Sequence, residues 1–158
     1  MGEIEIRIID TPLDPGALLA SVSGRDTGCG AVASFVGQVR DEDNLAALEL
    51  EHYPGATESA LTEIAQNAVA HWKLGRVLLH HRVGRMAPGE PIVVIAVAAA
   101  HRREAFDAVS YLIDVLKTQA PFWKRLHTRD GNARWLEVRP DDAEAGSAWL
   151  TELQNKDA

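Results

Sequence analysis

The chain holds a single cysteine, Cys29, so no internal disulfide is available. It has neither a Cys-x-x-Cys pair nor a His-Glu-x-x-His helix, the usual frameworks for thiol redox and zinc chemistry, and no metal site is expected. Long apolar runs are missing too. The longest, residues 92–100, falls far short of the roughly 20 residues that a membrane-spanning helix needs. The N-terminus lacks the charged-then-apolar pattern of an export signal, and these absences together predict a cytoplasmic protein with no membrane partner. Basic residues are outnumbered, 16 Lys and Arg against 23 Asp and Glu for a formal charge of −7. General nucleic-acid binding is thereby excluded, because affinity for phosphate backbones rests on a broad cationic surplus. The four tryptophans are too scattered to stack bases and read as core or interface residues. No tract is biased enough to suggest disorder or a linker. What remains, 158 residues with 46% apolar and 25% charged side chains, is the composition of one compact domain that buries its own core.

Periodicity supplies the elements. Residues 3–9 alternate charged and apolar side chains, with Ile4, Ile6 and Ile8 on one face of a half-buried strand. Asp14 followed by Pro15 starts a short helix that Gly24 stops. Strands are expected at residues 29–36 and 46–53, with Leu48, Leu50 and His52 sharing a face and the acidic loop Asp41-Glu42-Asp43 lying between them. Over residues 57–73, Leu61, Ile64, Ala65, Ala68, Val69 and Trp72 recur at helical spacing and predict an amphipathic helix ending near Gly75. Strands at 76–83 and 91–99 flank a Pro88-Gly89 turn, and the second is apolar on both faces and therefore central. A helix over 103–118 buries Ala105, Val109, Leu112 and Leu116 and is stopped by Pro121. A hairpin at Asp130-Gly131 joins short strands near 124–129 and 133–139, and a last helix is capped by Asp141 with Glu144 in support. Hairpin signals among crossovers, without a strict βαβ repeat, predict an α+β fold with a mixed or antiparallel sheet and packed helices.

The scarce positive charge is concentrated. Eight of the 16 Lys and Arg residues fall between 102 and 139, which suggests a local anion site on an acidic protein. His101-Arg102-Arg103 leads into the 103–118 helix, and Lys117 to Arg125 follows its end. Lys117 lies about 80° around that helix from Val109, at the margin of the buried stripe. Either its stem snorkels over the core, or its ammonium is partly desolvated and so drawn toward proton transfer. Lys124, taken alone, is an ordinary strand-start lysine. Grouped with Arg102 and Arg125, it suits a phosphate or a developing negative charge. His101 stands where helical N–H groups favour anions, and a capping or solvated histidine fits there equally. Arg40 either reaches a ligand or pairs with Asp41 or Asp43, the ion pair being the favoured reading. His80 and His81 are strand neighbours that point to opposite faces and cannot chelate one metal together. His52, His71 and His127 have no partner at ligand spacing.

Gly37-Gln-Val-Arg40, Leu50-Glu-His-Tyr-Pro-Gly55, His81-Arg-Val-Gly84, Ala99-Ala-His-Arg102 and Leu116-Lys-Thr-Gln-Ala-Pro-Phe-Trp-Lys-Arg125 occur in an order and spacing that resembles the molybdopterin synthase large, or catalytic, subunit family. The resemblance covers residues 30–140, and the lysine-to-lysine segment is its most specific part. It implies an α/β-hammerhead fold and a homodimer that binds two small ubiquitin-like subunits, giving a heterotetramer. It also implies a reaction in molybdenum cofactor biosynthesis. The small subunit's C-terminal Gly-Gly thiocarboxylate gives sulfur twice to cyclic pyranopterin monophosphate, forming the dithiolene of molybdopterin. No metal or organic cofactor is implied.

Carried over by position, the family's catalytic lysines fall on Lys117, beside the incoming tail, and on Lys124. Its substrate contacts fall on Gln38, Val39 and Arg40, on His101 and Arg102, and on Lys117, Lys124, Arg125 and Leu126, whether from the same chain or across the dimer interface. Two departures stand out. Gln38 replaces a lysine found in many relatives, and the loop Asp41-Glu-Asp-Asn44 is acidic where Asn and Gly are expected. Two other readings fit the same charges, a non-enzymatic module for a phosphorylated metabolite and a scaffold that receives a protein tail without turnover.

Overall fold

The computed structural model describes residues 2–136 and 140–156. Alternating isoleucines make β1 (Glu3–Ile9), and the Asp14 carboxylate caps α1 (Pro15–Val22) by accepting from Ala17 N–H. Then come β2 (Ala31–Gln38), β3 (Leu45–His52) and the amphipathic α2 (Ala56–Trp72). At the start of α2, Gly55 takes φ 86° and its N–H donates to Glu58 Oε2 at 2.6 Å. The second half runs β4 (Arg76–Arg82), β5 (Gly84–Met86), β6 (Pro91–Ala99), α3 (Arg102–Gln119), β7 (Phe122–Thr128), β8 (Ala133–Leu136) and α4 (Pro140–Lys156).

The strands form two four-stranded sheets, ordered β1-β4-β6-β2 and β5-β3-β7-β8. Among the described residues only β1 and β4 pair in parallel, so the architecture is mixed α+β. The centre of the first sheet is covered on both faces, which explains why β6 is apolar throughout. Val93, Ile95, Val97 and Ala99 face α2 and α3, while Val94, Ala96 and Ala98 face α1. The α2/α3 side is the main core, where Leu61, Leu79, Ile95, Tyr111 and Leu112 are fully buried. Each such side chain contributes about 2 kcal/mol by leaving water. The second sheet has its own smaller core of Val39, Leu45, Leu48, Leu50, Met86 and Leu126.

Several expected elements shift. The second strand spans Ala31–Gln38 rather than residues 29–36, because its frame is set by pairing with β6, Ala31 opposite Ala99, and not by local composition. The three-residue β5 was not expected from the sequence, being too short to show a period. Asp141 is not a cap: α4 begins at Pro140, so Asp141 lies within its first turn, where a carboxylate still complements the helix dipole. The expected end of the last strand, residues 137–139, lies outside the described residues. His80 and His81 do face opposite sides, His80 bonding Glu5 Oε1 at 2.9 Å and His81 stacking on Phe122. No helix among the described residues is long and apolar enough to cross a membrane.

Candidate functional site

A cleft of about 660 Å³ opens where the two sheets, the end of α3 and the start of α4 meet. Its apolar walls come from Phe35 and Val36 of β2, Ile113 and Leu116 of α3, and Leu48 and Leu126 of the second sheet. The charged rim comes from the loops and helix ends. Lys117 occupies the last turn of α3, at the negative end of the helix dipole. The helix stops at once after it: Ala120 N–H closes onto Leu116 O at 3.2 Å, and Pro121 has no N–H to continue. The chain then enters β7, where the two-residue period decides which side chains face the cleft. Phe122, Lys124 and Leu126 line it, and Arg125 does not.

Lys117 and Lys124 therefore border one space. Lys117 Nζ stands 3.5 Å from Asp142 Oδ1 of α4. Lys124 is exposed as a residue, but its ammonium end is recessed. That burial is the main cause pushing its pKa below the usual lysine range; the positive charge of Lys117 adds to the effect and Asp142 opposes it. Beneath them lies His81, whose ring stacks on Phe122 with centroids 3.9 Å apart. Burial pulls His81 down to about 4, so it is neutral at physiological pH. Its Nδ1 faces the Arg82 carbonyl at 2.9 Å and must donate to it, which leaves Nε2 as an acceptor.

At the opposite rim Gln38 ends β2, and Val39 and Arg40 follow it; all three line the cleft, Val39 also serving the core of the second sheet. Arg40 pairs with Glu42 at 3.5 Å, not with Asp41 or Asp43 as expected. The loop turns through left-handed Asp43 and Asn44 (φ 54° and 56°). Asp41 meets Arg129 at 3.0 Å and Asp43 meets Arg134 at 3.9 Å, on the β7–β8 hairpin. The acidic loop thus ties the rim to that hairpin.

Three of the residues singled out in the sequence stand elsewhere. Arg125 projects from the other face of β7, its guanidinium 5.5 Å from the centre of the Trp135 ring. His101 and Arg102 begin α3, at the far end from Lys117, and at 1.5 Å per residue that is more than about 20 Å away. The cationic groups at the two ends of this helix do not form one site within a single chain. Sequence reasoning in turn passed over His81, Phe122 and Asp142 as site residues. The stack and the ion pair that place them join distant segments, which no local pattern reports. Trp72 and Trp149 pack in the core around Tyr111, whereas Trp123 and Trp135 lie exposed on the outer face of the second sheet. Among the described residues no group of three or more His, Cys, Asp or Glu side chains is placed to hold a metal ion.

The family described as MoaE protein matches residues 8–119. The molybdopterin synthase catalytic subunit of Caulobacter vibrioides is 49% identical over 145 residues, covering 91% of this chain and 96% of that protein. Among solved structures, the molybdopterin biosynthesis MoaE protein from Burkholderia ambifaria has a TM-score of 0.79 at 45% identity, covering 94% of this chain and 98% of that one. A chain in the complex of subunits 1 and 2 of molybdopterin-converting factor from Helicobacter pylori shares the fold, with a TM-score of 0.72 at 24% identity, covering 85% of this chain and 91% of that one. Relatedness of this depth, carried along nearly the whole length, leaves one conclusion: the chain belongs to the MoaE family, whose curated relatives are molybdopterin synthase catalytic subunits.

Proposed function

We propose that this chain is the catalytic subunit of a molybdopterin synthase, moving sulfur from the C-terminal thiocarboxylate of a small ubiquitin-like subunit to cyclic pyranopterin monophosphate. The observation that carries the reading is the pair Lys117 and Lys124 at one cleft, the second with its pKa lowered by burial, on a chain of this family. A recessed cationic cleft with apolar walls suits both an extended apolar-backed tail and an anionic substrate. Preorganised charge stabilises an anion most where water is excluded.

In this reading the tail enters beside Lys117. Its ammonium stabilises the oxyanion that forms when the carbonyl carbon of the tail is attacked, and Lys124, which gives up its proton more readily than an ordinary lysine, assists proton transfer or holds the leaving oxygen. Gln38, Val39, Arg40 and Leu126 border the substrate. Arg40 is free to swing, since its partner Glu42 is an exposed surface contact. His101 and Arg102, too far from their own Lys117, act at the cleft of a second copy in a homodimer. Arg125, facing away, contributes through the backbone and position of β7. Two small subunits complete a heterotetramer, and a cytoplasmic location belongs to the same reading.

The test is conversion of cyclic pyranopterin monophosphate to molybdopterin by this chain and a thiocarboxylated small subunit. Product that depends on both proteins supports the reading. A formed complex that yields no product would reduce the chain to a binding or scaffold subunit.

A further inference from the structure

The start of α4 brings a carboxylate to the lysine pair. Asp142 Oδ1 lies 3.5 Å from Lys117 Nζ, and both residues line the cleft. The packing of α4 on α3, more than the ion pair, builds this placement. Trp149 Nε1 donates to Asp114 Oδ2 at 2.8 Å, and the Trp149 ring stands edge-on to Trp72 and Tyr111. Gly146 lets the two helices approach, since a Cβ there would meet Thr118 Oγ1 at 2.6 Å. Gly146 and Trp149 follow Asp142 by one and two helical turns and share its face of α4. Their contacts on α3, Thr118 and Asp114, flank Lys117.

The remaining charged side chains around the cleft stand near partners of their own. Arg40 pairs with Glu42, Arg134 with Asp43, and His81 is buried and neutral. Lys124 forms no ion pair among the described residues, so Asp142 is the carboxylate that the fold sets against the two lysines. Two ammonium groups in a recess repel each other by an amount that grows as water is excluded. A carboxylate held beside them offsets that repulsion, and the negative charge of Asp142 does act to keep the proton on Lys124.

We propose that Asp142 is a positioning residue for the lysine pair: it holds the Lys117 ammonium at the cleft wall and sets a counter-charge beside the two lysines until the anionic tail and substrate arrive. The proposal rests on the sulfur-transfer reading above and assigns Asp142 no contact with reacting atoms. It explains why the last helix docks so closely on α3 and why its first turn is acidic.

The experiment has two arms. In the full chain with carbon-13-labelled lysine, the Lys124 ε-carbon titrates at lower pH in Asp142→Asn than in the wild type, by about half a unit or more, and Asp142→Glu restores the wild-type titration. In the assembled complex with the small subunit, the limb of the pH–rate profile governed by Lys124 moves the same way, whether that residue gives or takes the proton. An unchanged Lys124 titration in Asp142→Asn overturns the proposal. So does a shifted titration with an unmoved pH–rate limb. A wild type that transfers no sulfur would instead overturn the functional reading, while the titration arm still decides whether Asp142 governs the pair.

Discussion

Lys117 ends a helix and Lys124 sits within the strand that follows, and the break at Pro121 turns both toward one cleft. Their surroundings differ. Lys117 is held by Asp142, whereas Lys124 is desolvated and faces a second cation. Lys124→Arg keeps the charge but replaces a group able to release its proton with one that is not. The expected outcome in steady-state sulfur transfer is a KM close to wild type and a kcat lower by about a hundredfold; undiminished kcat would confine Lys124 to binding. His81 supports a second prediction at this scale. Its pKa falls from 6.5 in the unfolded chain to about 4 in the fold, so between those values the unfolded state takes up the proton first. Stability is complete above pH 6.5 and is lost as pH falls toward 4, by about 3 kcal/mol. Urea unfolding across that window should show this acid slope in the wild type and a flatter one in His81→Gln. Of the candidate residues, Gln38, Val39, Arg40, Lys117, Lys124 and Leu126 were carried over from the family resemblance, and they line one cleft. Arg125, grouped with Lys124 by charge and by the resemblance, does not share the cleft, because the strand period sends it to the opposite face of β7.

At the scale of elements, what the sequence reports is burial on one side. The alternation in β1 and the helical stripe of α2 survive into the fold nearly residue for residue, because each faces a core on one face and water on the other. Pairing frames are a different matter. β2 starts two residues later than its composition suggests because β6 sets the register, and β5 exists only through its pairing with β3. The docking of α4 is likewise tertiary. In an exposed helix Gly→Ala gains about 1 kcal/mol. At Gly146 the added Cβ would meet Thr118 Oγ1 at 2.6 Å and the Asp114 carbonyl at 3.3 Å, so Gly146→Ala is expected to lose about 1 kcal/mol or more by overpacking. Chemical denaturation gives the sign, and Gly146→Ala combined with Thr118→Ala should recover part of the loss. A stabilised single variant would show that α4 does not pack as closely as described.

At the scale of the whole molecule, the two ends of α3 lie too far apart to serve one cleft within a chain. The chain is acidic overall, yet it carries cationic groups at both ends of one helix. In the proposed reading a second copy supplies His101 and Arg102, because both lie far along α3 from Lys117 of their own chain. Mixing two inactive variants tests this. A dimer of one Lys117→Ala chain and one Arg102→Ala chain holds one cleft with both defects and one with neither, so random re-association should restore roughly a quarter of wild-type activity. If activity stays at the level of the separate variants, each cleft draws only on its own chain.

Lys117, in the last turn of α3, is the residue on which catalysis at this cleft depends in the proposed reading. With a preformed complex of this chain and a thiocarboxylated small subunit, the single-turnover rate of sulfur transfer to cyclic pyranopterin monophosphate is the direct measurement. Lys117→Ala is expected to bind both partners and to transfer sulfur about a hundredfold more slowly. A variant that matched the wild-type rate would contradict the assignment of the cleft as the place of catalysis.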